Sequence, residues 1–487
     1  VILRRIRASG GSSRVAVRRS RAAPLVAVRR SRAAPLVAVR RSRAAVLGAL
    51  ASLCAALSLP GRPARAEPTS DGPPSAFGAA VAGSAIRATR VGPVVVAIAP
   101  RPIASHRVCG PNVCVHGERG LAPTLAAFEA AWGLLVDTSR WPKPKSDGAL
   151  GGDPRLDVHL VPDARFDGDT SDDLRVVVDA LDPMLDHDGG AAHVRIPERA
   201  LPDGGCALAN LAARAIAWSA ARGLDVAETE VVVDGFSRRA ADVVAPCRGL
   251  DDARMRAFQA KPWRAMTADP TGPAFLARML DRDRGGGLGA VVPALLSMAT
   301  QKRGLLVPLE GEELGPARFD NATTIFDVLE TTAKDARSSL AATLSDYAVA
   351  RALAESPPNW EWVVPVSTLP RRFAVRRGIA PTGTSFLRIE LDRAAKNDAV
   401  EIDLSWEQGA RFVFRLLALD GAGKLTREIP VPVLETARAL TIEARHLEGV
   451  TSLVLAAINV GDPARPWHPD APEAPSHGYE IGLFEGT

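Results

Sequence analysis

The 487-residue sequence predicts an α+β chain: a lobe built on a sheet, a helical lobe, then an all-β sandwich. Three observations carry this. Short apolar strands and one amphipathic helix alternate between residues 91 and 196. Apolar spacings of three and four residues dominate from 207 to 355. After Pro357-Pro358, runs of period two separated by turns continue towards the C-terminus.

The elements follow in order. VGPVVVAIAP reads as a strand and HRVCGPNVCVH as a tight hairpin. Pro123 to Val136 is a helix with Leu125, Phe128, Trp132 and Leu135 on one stripe. The loop WPKPKSDGALGGD leads to the strand RLDVHLVP, whose Leu156, Val158 and Leu160 share a face. Strands are expected at 175–180 and 192–196. Residues 207–245 then form two helices. Leu208, Leu211, Ala215 and Trp218 stripe the first, and Gly223 suits its C-cap. Asp225 and Glu228 give a D-x-x-E start signal for the second. Val231, Val232, Val233 and Phe236 form its body, and Pro246 closes it. Further helices are expected at 274–283, 290–302, 324–334 and 337–355. The runs WEWVVPV, SFLRIEL, AVEIDLSW, RFVFRLLAL, REIPVPV, ALTIEA and SLVLAAINV supply the strands of a sandwich of about 130 residues, a usual size for one domain.

The helix pair resembles the active-site pair of secreted bacterial zinc metallopeptidases of thermolysin-like, gluzincin type. An ungapped register lays Arg214-Ala215-Ile216-Ala217-Trp218 on their His-Glu-x-x-His and Asp234-Gly235 on their Glu-Gly. Gly223 and Asp225 fall where such families often have Gly and Asp. The W-P, D-G, G-G-D and D-V-x-L sequence before the pair is similar to their N-terminal lobe, and the helices of 251–355 to their C-terminal lobe. Zinc hydrolysis needs two imidazoles one turn apart, a carboxylate base and a third ligand. Here Arg214 and Trp218 stand for the two His and Ala215 for the base. Only Asp234 keeps a ligand type. The resemblance implies a peptidase-like fold with no peptidase in it and no zinc. If those positions converge, Arg214 pairs with Asp234, because a buried guanidinium needs such a partner. The plainer alternative is an ordinary core helix followed by an amphipathic one.

Composition sets the compartment. Residues 1–66 hold 15 Arg, no Lys and no acid, whereas the remainder carries 45 basic and 55 acidic residues. The basic pI of 9.1 is thus a property of the leader, and the acidic remainder gives no electrostatic reason to bind nucleic acid. Residues 15–47 are three copies of an 11-residue repeat, too short to be a solenoid unit. Translation is expected to begin at a Val near the last copy. Arg40, Arg41 and Arg43, the apolar stretch 44–59 and Ala64-Arg65-Ala66 form a signal peptide. Its apolar run is too short to anchor in a membrane, and Leu53 before Cys54 makes a poor lipoprotein signal. The organisation is therefore a 1–66 leader, a 67–90 linker, a 91–355 metallopeptidase-like domain and a 356–487 sandwich.

With Cys54 removed, four Cys remain, and in an exported chain they read as two disulfides. Cys109 and Cys114 staple the hairpin mouth, and Cys206 and Cys247 bracket the helix pair. No C-x-x-C spacing supports a Cys zinc site.

Other motifs are weak. None of the eight His are spaced i, i+4, and His106 and His116, flanking the Cys hairpin, read as surface strand residues. No G-x-S-x-G or P-loop occurs. The 285–289 Gly run is a flexible turn, and Asp137-Thr138-Ser139 is not an aspartic-protease D-T-G. Asp167, Asp169, Asp172 and Asp173 crowd one loop and Asp182, Asp186 and Asp188 another. Calcium at Asp167 and Asp169 is the metal reading, against solvated acidic loops. The expectation is an exported, catalytically inactive protein that binds protein, peptide or polysaccharide and is not an integral membrane protein. Its rivals are an active secreted hydrolase with an unrecognised site and a structural envelope protein.

Overall fold

The structure, a computed structural model, describes residues 94–96 and most of 101–486. The longest stretches outside it are 167–172, 182–188, most of 285–323, 392–398, 433–437 and 462–474. The leader, its repeats, Cys54, the linker, the Gly run, Asp167, Asp169, Asp172, the second acidic loop and nearly all of the 290–302 helix therefore lie outside the described residues. Those described belong to one compact unit within 72–487. They form an α+β architecture, and no helix among them is long and apolar enough to cross a membrane.

The first half is built on a five-stranded sheet. Its strands are β2 (Arg107–Cys109), β3 (Val113–His116), β4 (Leu156–Val161), β5 (Arg175–Leu181) and β6 (Gly190–Pro197), in the order β2-β3-β4-β6-β5. β3, β4 and β6 run parallel, and β2 and β5 flank them antiparallel. Strand alternation gives this sheet two unlike faces. Val113, Val115, Leu156, Val158, Val194 and Ile196 join the main core on one side. The other side carries Cys114, His116, Asp157, His159, His193 and Arg195. β1 (Val94–Val96) pairs away from this sheet, antiparallel with β7 (Ala317–Phe319), a strand the sequence does not announce.

Helix α1 (Leu121–Trp132) and the Ala-rich α2 (Gly205–Leu224) cover the apolar face. Phe128, Trp132 and Leu135 are buried as their stripe requires. Alanine lets α2 lie close against both the sheet and α3 (Glu230–Val244), so nearly all of 208–222 is buried. Two cap assignments change. Gly223 sits in the last turn of α2, and the C-cap is Asp225. A Cβ at Gly223 would lie 3.2 Å from the Lys145 side chain, so the glycine serves a close approach by the 141–147 loop. Asp225 caps a turn by accepting from the amides of Ala227 and Glu228, and Thr229 is the N-cap of α3. Glu228 instead accepts from the amides of Thr229 and Ile325.

Helices α4 (Arg248–Gln259), α5 (Thr271–Arg284), α6 (Ile325–Asp335) and α7 (Leu340–Ala352) follow. Thr324 and Asp327 form a capping box at α6. A Cβ at Gly235 of α3 would meet the Pro270 carbonyl at 2.4 Å, so only glycine lets α5 pack there.

The second half is two sheets face to face. One orders β13 (Leu425–Ile429), β12 (Phe412–Leu419), β15 (Ser452–Asn459), β10 (Thr384–Glu390) and β8 (Trp362–Pro365). The other orders β14 (Ala439–Arg445), β11 (Ala399–Trp406), β16 (Tyr479–Glu485) and β9 (Arg371–Ala374). Leu387, Ile402, Leu416, Leu455 and Ile481 fill the space between them. The period-two expectation fails for β15, buried at every position. The outward residues Phe386, Val413, Leu417, Val454 and Ile458 belong to the main core, where α7 packs on β12 and β15. Fully buried Arg351 of α7 donates to Gln259 of α4 and to Thr384 of β10.

Candidate functional site

Two buried polar clusters carry the site chemistry, one on the α2–α3 pair and one on the polar face of the first sheet.

On α2, Arg214 is 2 % exposed. Its Nε donates to Asp234 Oδ1 at 2.5 Å and Nη2 to Oδ2 at 2.8 Å, while Nη1 donates to both oxygens of Asp173 at 2.7 and 2.8 Å. The pair anticipated between Arg214 and Asp234 is present, bidentate, the geometry that suits a guanidinium best. Arg238, one turn along α3, also donates to Asp234, and Arg254 lies 3.8 Å from Asp173. The Arg214 guanidinium lies 5.7 Å from the centre of the Trp218 ring. Burial pushes the Asp234 and Asp173 carboxyls up, but the Arg214 and Arg238 guanidiniums outweigh it and hold both below the usual carboxylate range. Burial lowers Arg214 in turn, and Asp234 and Asp173 more than restore it.

Zinc does not fit these residues. Arg214 and Trp218 offer no lone pair, Ala215 offers no base, and Asp234 is occupied by two guanidiniums. Ala215, Ile216, Ala217 and Trp218 are all buried. The two disulfides are formed: Cys109–Cys114 closes the hairpin, and Cys206–Cys247 ties the start of α2 to the entry of α4.

The second cluster escaped sequence reasoning. His106 is a surface residue, its side chain 67 % exposed. His116 is not, at 12 %. In parallel register His116 of β3 lies beside His159 of β4, and the rings stack with centroids 4.6 Å apart. Asp157, two residues before His159, shares its face, and Asp157 Oδ1 is 2.8 Å from His116 Nε2. His193 of β6 meets the His159 ring edge-on at 5.4 Å. Its Nδ1 lies 3.2 Å from Asp179, and its Nε2 accepts from Arg195 Nε at 2.9 Å, which fixes the hydrogen on Nδ1. Arg101 crosses the cluster from outside. It pairs with Asp157, with Asp147 of the 141–153 loop and, at 2.6 Å, with Asp179.

His159 is the exception. It is 3 % exposed, and neither ring nitrogen has a hydrogen-bond partner. Burial, then the neighbouring His116 and His193, pushes it down to about 2, so the ring is neutral. A buried unpaired donor costs about 1–3 kcal/mol. Potential ligand atoms of His116, Asp157 and His159 all lie within 4.8 Å of one another. A second such group, Cys109, Cys114 and Asp153, is ruled out as a thiolate site by the disulfide.

Two surface concavities lie elsewhere. A groove of 570 Å³ crosses the outer face of the four-stranded sheet, lined by Arg372, Asp403, Ser405, Thr441 and Glu480 among others. A cleft of 580 Å³ runs between α4, α5 and α7. Neither includes Arg214, Trp218 or Asp234.

No protein-family model matches the chain, and a search of curated proteins gave no match. Among solved structures, the chain is similar to the pre-peptidase C-terminal domain of collagenase from Bacillus anthracis, with 10% identity over 26% of this chain and 97% of that one, at a TM-score of 0.17, a likeness too slight to bear on function.

Proposed function

We propose that this chain is an exported, non-catalytic relative of secreted thermolysin-like zinc metallopeptidases, kept for its scaffold. One observation carries the reading. Arg214 and Asp234, which the resemblance aligns with two metal ligands, hold each other directly, and Trp218, aligned with the third, lies beside them. The order of sheet, helix pair, helices and two-sheet region supports it. The two disulfides support an oxidising compartment. Arg214, Trp218 and Asp234 are packed rather than open, which favours a structural envelope role over peptide binding at that position.

The test is proteolysis. The purified chain lacking its leader is incubated with unfolded casein, with added Zn²⁺ and with chelator. No cleavage sensitive to either is expected, and chelator-sensitive cleavage overturns the reading.

A second reading, polysaccharide binding, is favoured by the sandwich groove. Its charged and hydroxyl side chains suit a polar polymer. Glu480→Ala is expected to weaken retention on a polysaccharide column if this is the binding face.

A further inference from the structure

We propose that His116, Asp157 and His159 bind one divalent first-row transition-metal ion on the polar face of the five-stranded sheet. This site is distinct from the Arg214 position and independent of the reading drawn from it. Two imidazoles and a carboxylate suit such ions. The parallel register puts His116 and His159 side by side, and the two-residue step puts Asp157 on the same face. Their donor atoms lie within 4.8 Å of one another.

His159 is the independent sign of a ligand. Both of its ring nitrogens are buried without a hydrogen-bond partner, while the ring itself touches His116 and His193. His193 cannot relieve it, since Asp179 and Arg195 engage both of its nitrogens. An ion would take up one His159 lone pair. His116, with its hydrogen on Nδ1, would offer the Nε2 lone pair to the ion in place of the contact with Asp157 Oδ1. Arg101 holds the other Asp157 oxygen, so it orients the carboxylate from behind. Asp147, Asp157 and Asp179 gather around the single Arg101 guanidinium at the edge of the cluster.

The experiment uses the tag-free chain without its leader, stripped with chelator. It is titrated with Zn²⁺ against a chromophoric competitor, and its thermal midpoint is followed with and without Zn²⁺. One equivalent is expected to bind and raise the midpoint. His159→Leu is expected to weaken binding at least tenfold and abolish the zinc-induced rise, while its metal-free midpoint stays at or above that of the parent. A folded His116→Gln variant gives a second loss of affinity, guarding against failure of one variant to fold. Co²⁺ bound to the parent is expected to show ligand-field absorption that both variants lose. Absence of binding by the parent overturns the proposal, as does binding that survives both substitutions.

Discussion

The two clusters lie on opposite sides of one sheet and handle buried polarity in opposite ways. Around Arg214 a protein cation sits among carboxylates, and every nitrogen of its guanidinium has an acceptor. Around His159 the protein cation, Arg101, stands at the rim and leaves both nitrogens of the central ring without a hydrogen bond. Each cluster has a disulfide nearby, a long one beside the helices and a short one at the sheet edge. The difference teaches that a buried charge satisfied from within the chain leaves nothing for a ligand to do, whereas a neutral donor left unsatisfied still has a bond to make.

The largest test is at Arg214. Arg214→Leu leaves Asp234 buried without its main partner and is expected to cost about 3–5 kcal/mol in urea unfolding. The double variant Arg214→Leu/Asp234→Leu is expected to recover much of that loss. If the single change is neutral, the contrast between the clusters fails.

Sulfur chemistry sharpens it next. Cys206 and Cys247 are 41 residues apart, Cys109 and Cys114 only 5. Loop entropy predicts a loss of about 4 kcal/mol when the first bond is removed by double Ser substitution, against about 2 kcal/mol for the second. Calorimetric melting of the two variants checks the order.

Packing at the helices gives a smaller effect. Gly235→Ala drives a Cβ onto the Pro270 carbonyl and is expected to cost about 1–3 kcal/mol, read from the same urea curves.

Acid separates the clusters further. Asp234 and Asp173 have folded pKa values held below the ordinary 3.8. Their contribution is therefore complete above that value and is lost as pH falls through the folded values. The Arg214→Leu/Asp234→Leu variant is expected to lose less stability than the parent between pH 4 and acid unfolding, followed by circular dichroism.

Much of this was legible from sequence, and the failures share a cause. The Arg214–Asp234 pair could be placed because both residues lie on consecutive helices, only 20 positions apart. The His116 cluster could not, because its members come from strands some forty residues apart and its cover comes from Arg101 and Asp147. The pattern LDVHLV was visible, but alternation alone assigns Asp157 and His159 to water. Arg101 and Asp147, laid across them, help to make that face an interior. β9 and β16 were missed for local reasons. RRFA is a short edge strand with three polar or small residues, and YEIGLFE is broken by Gly482, whose missing side chain makes room for the Phe484 ring. β15 showed its nature in SLVLAAIN, a run too uniformly apolar for a strand with one wet side.

That doubly covered strand bears on how the molecule can be divided. Read from the sequence alone, a cut at Pro357-Pro358 releases a self-sufficient module, since a run of strands begins there. Yet Phe386, Val413, Leu417, Val454 and Ile458 would then face water together, and Arg351 would lose Thr384. Either fragment made alone would carry a raw oily plane. Expression of the halves is expected to yield aggregates, and mixing them during refolding is the way to recover soluble material.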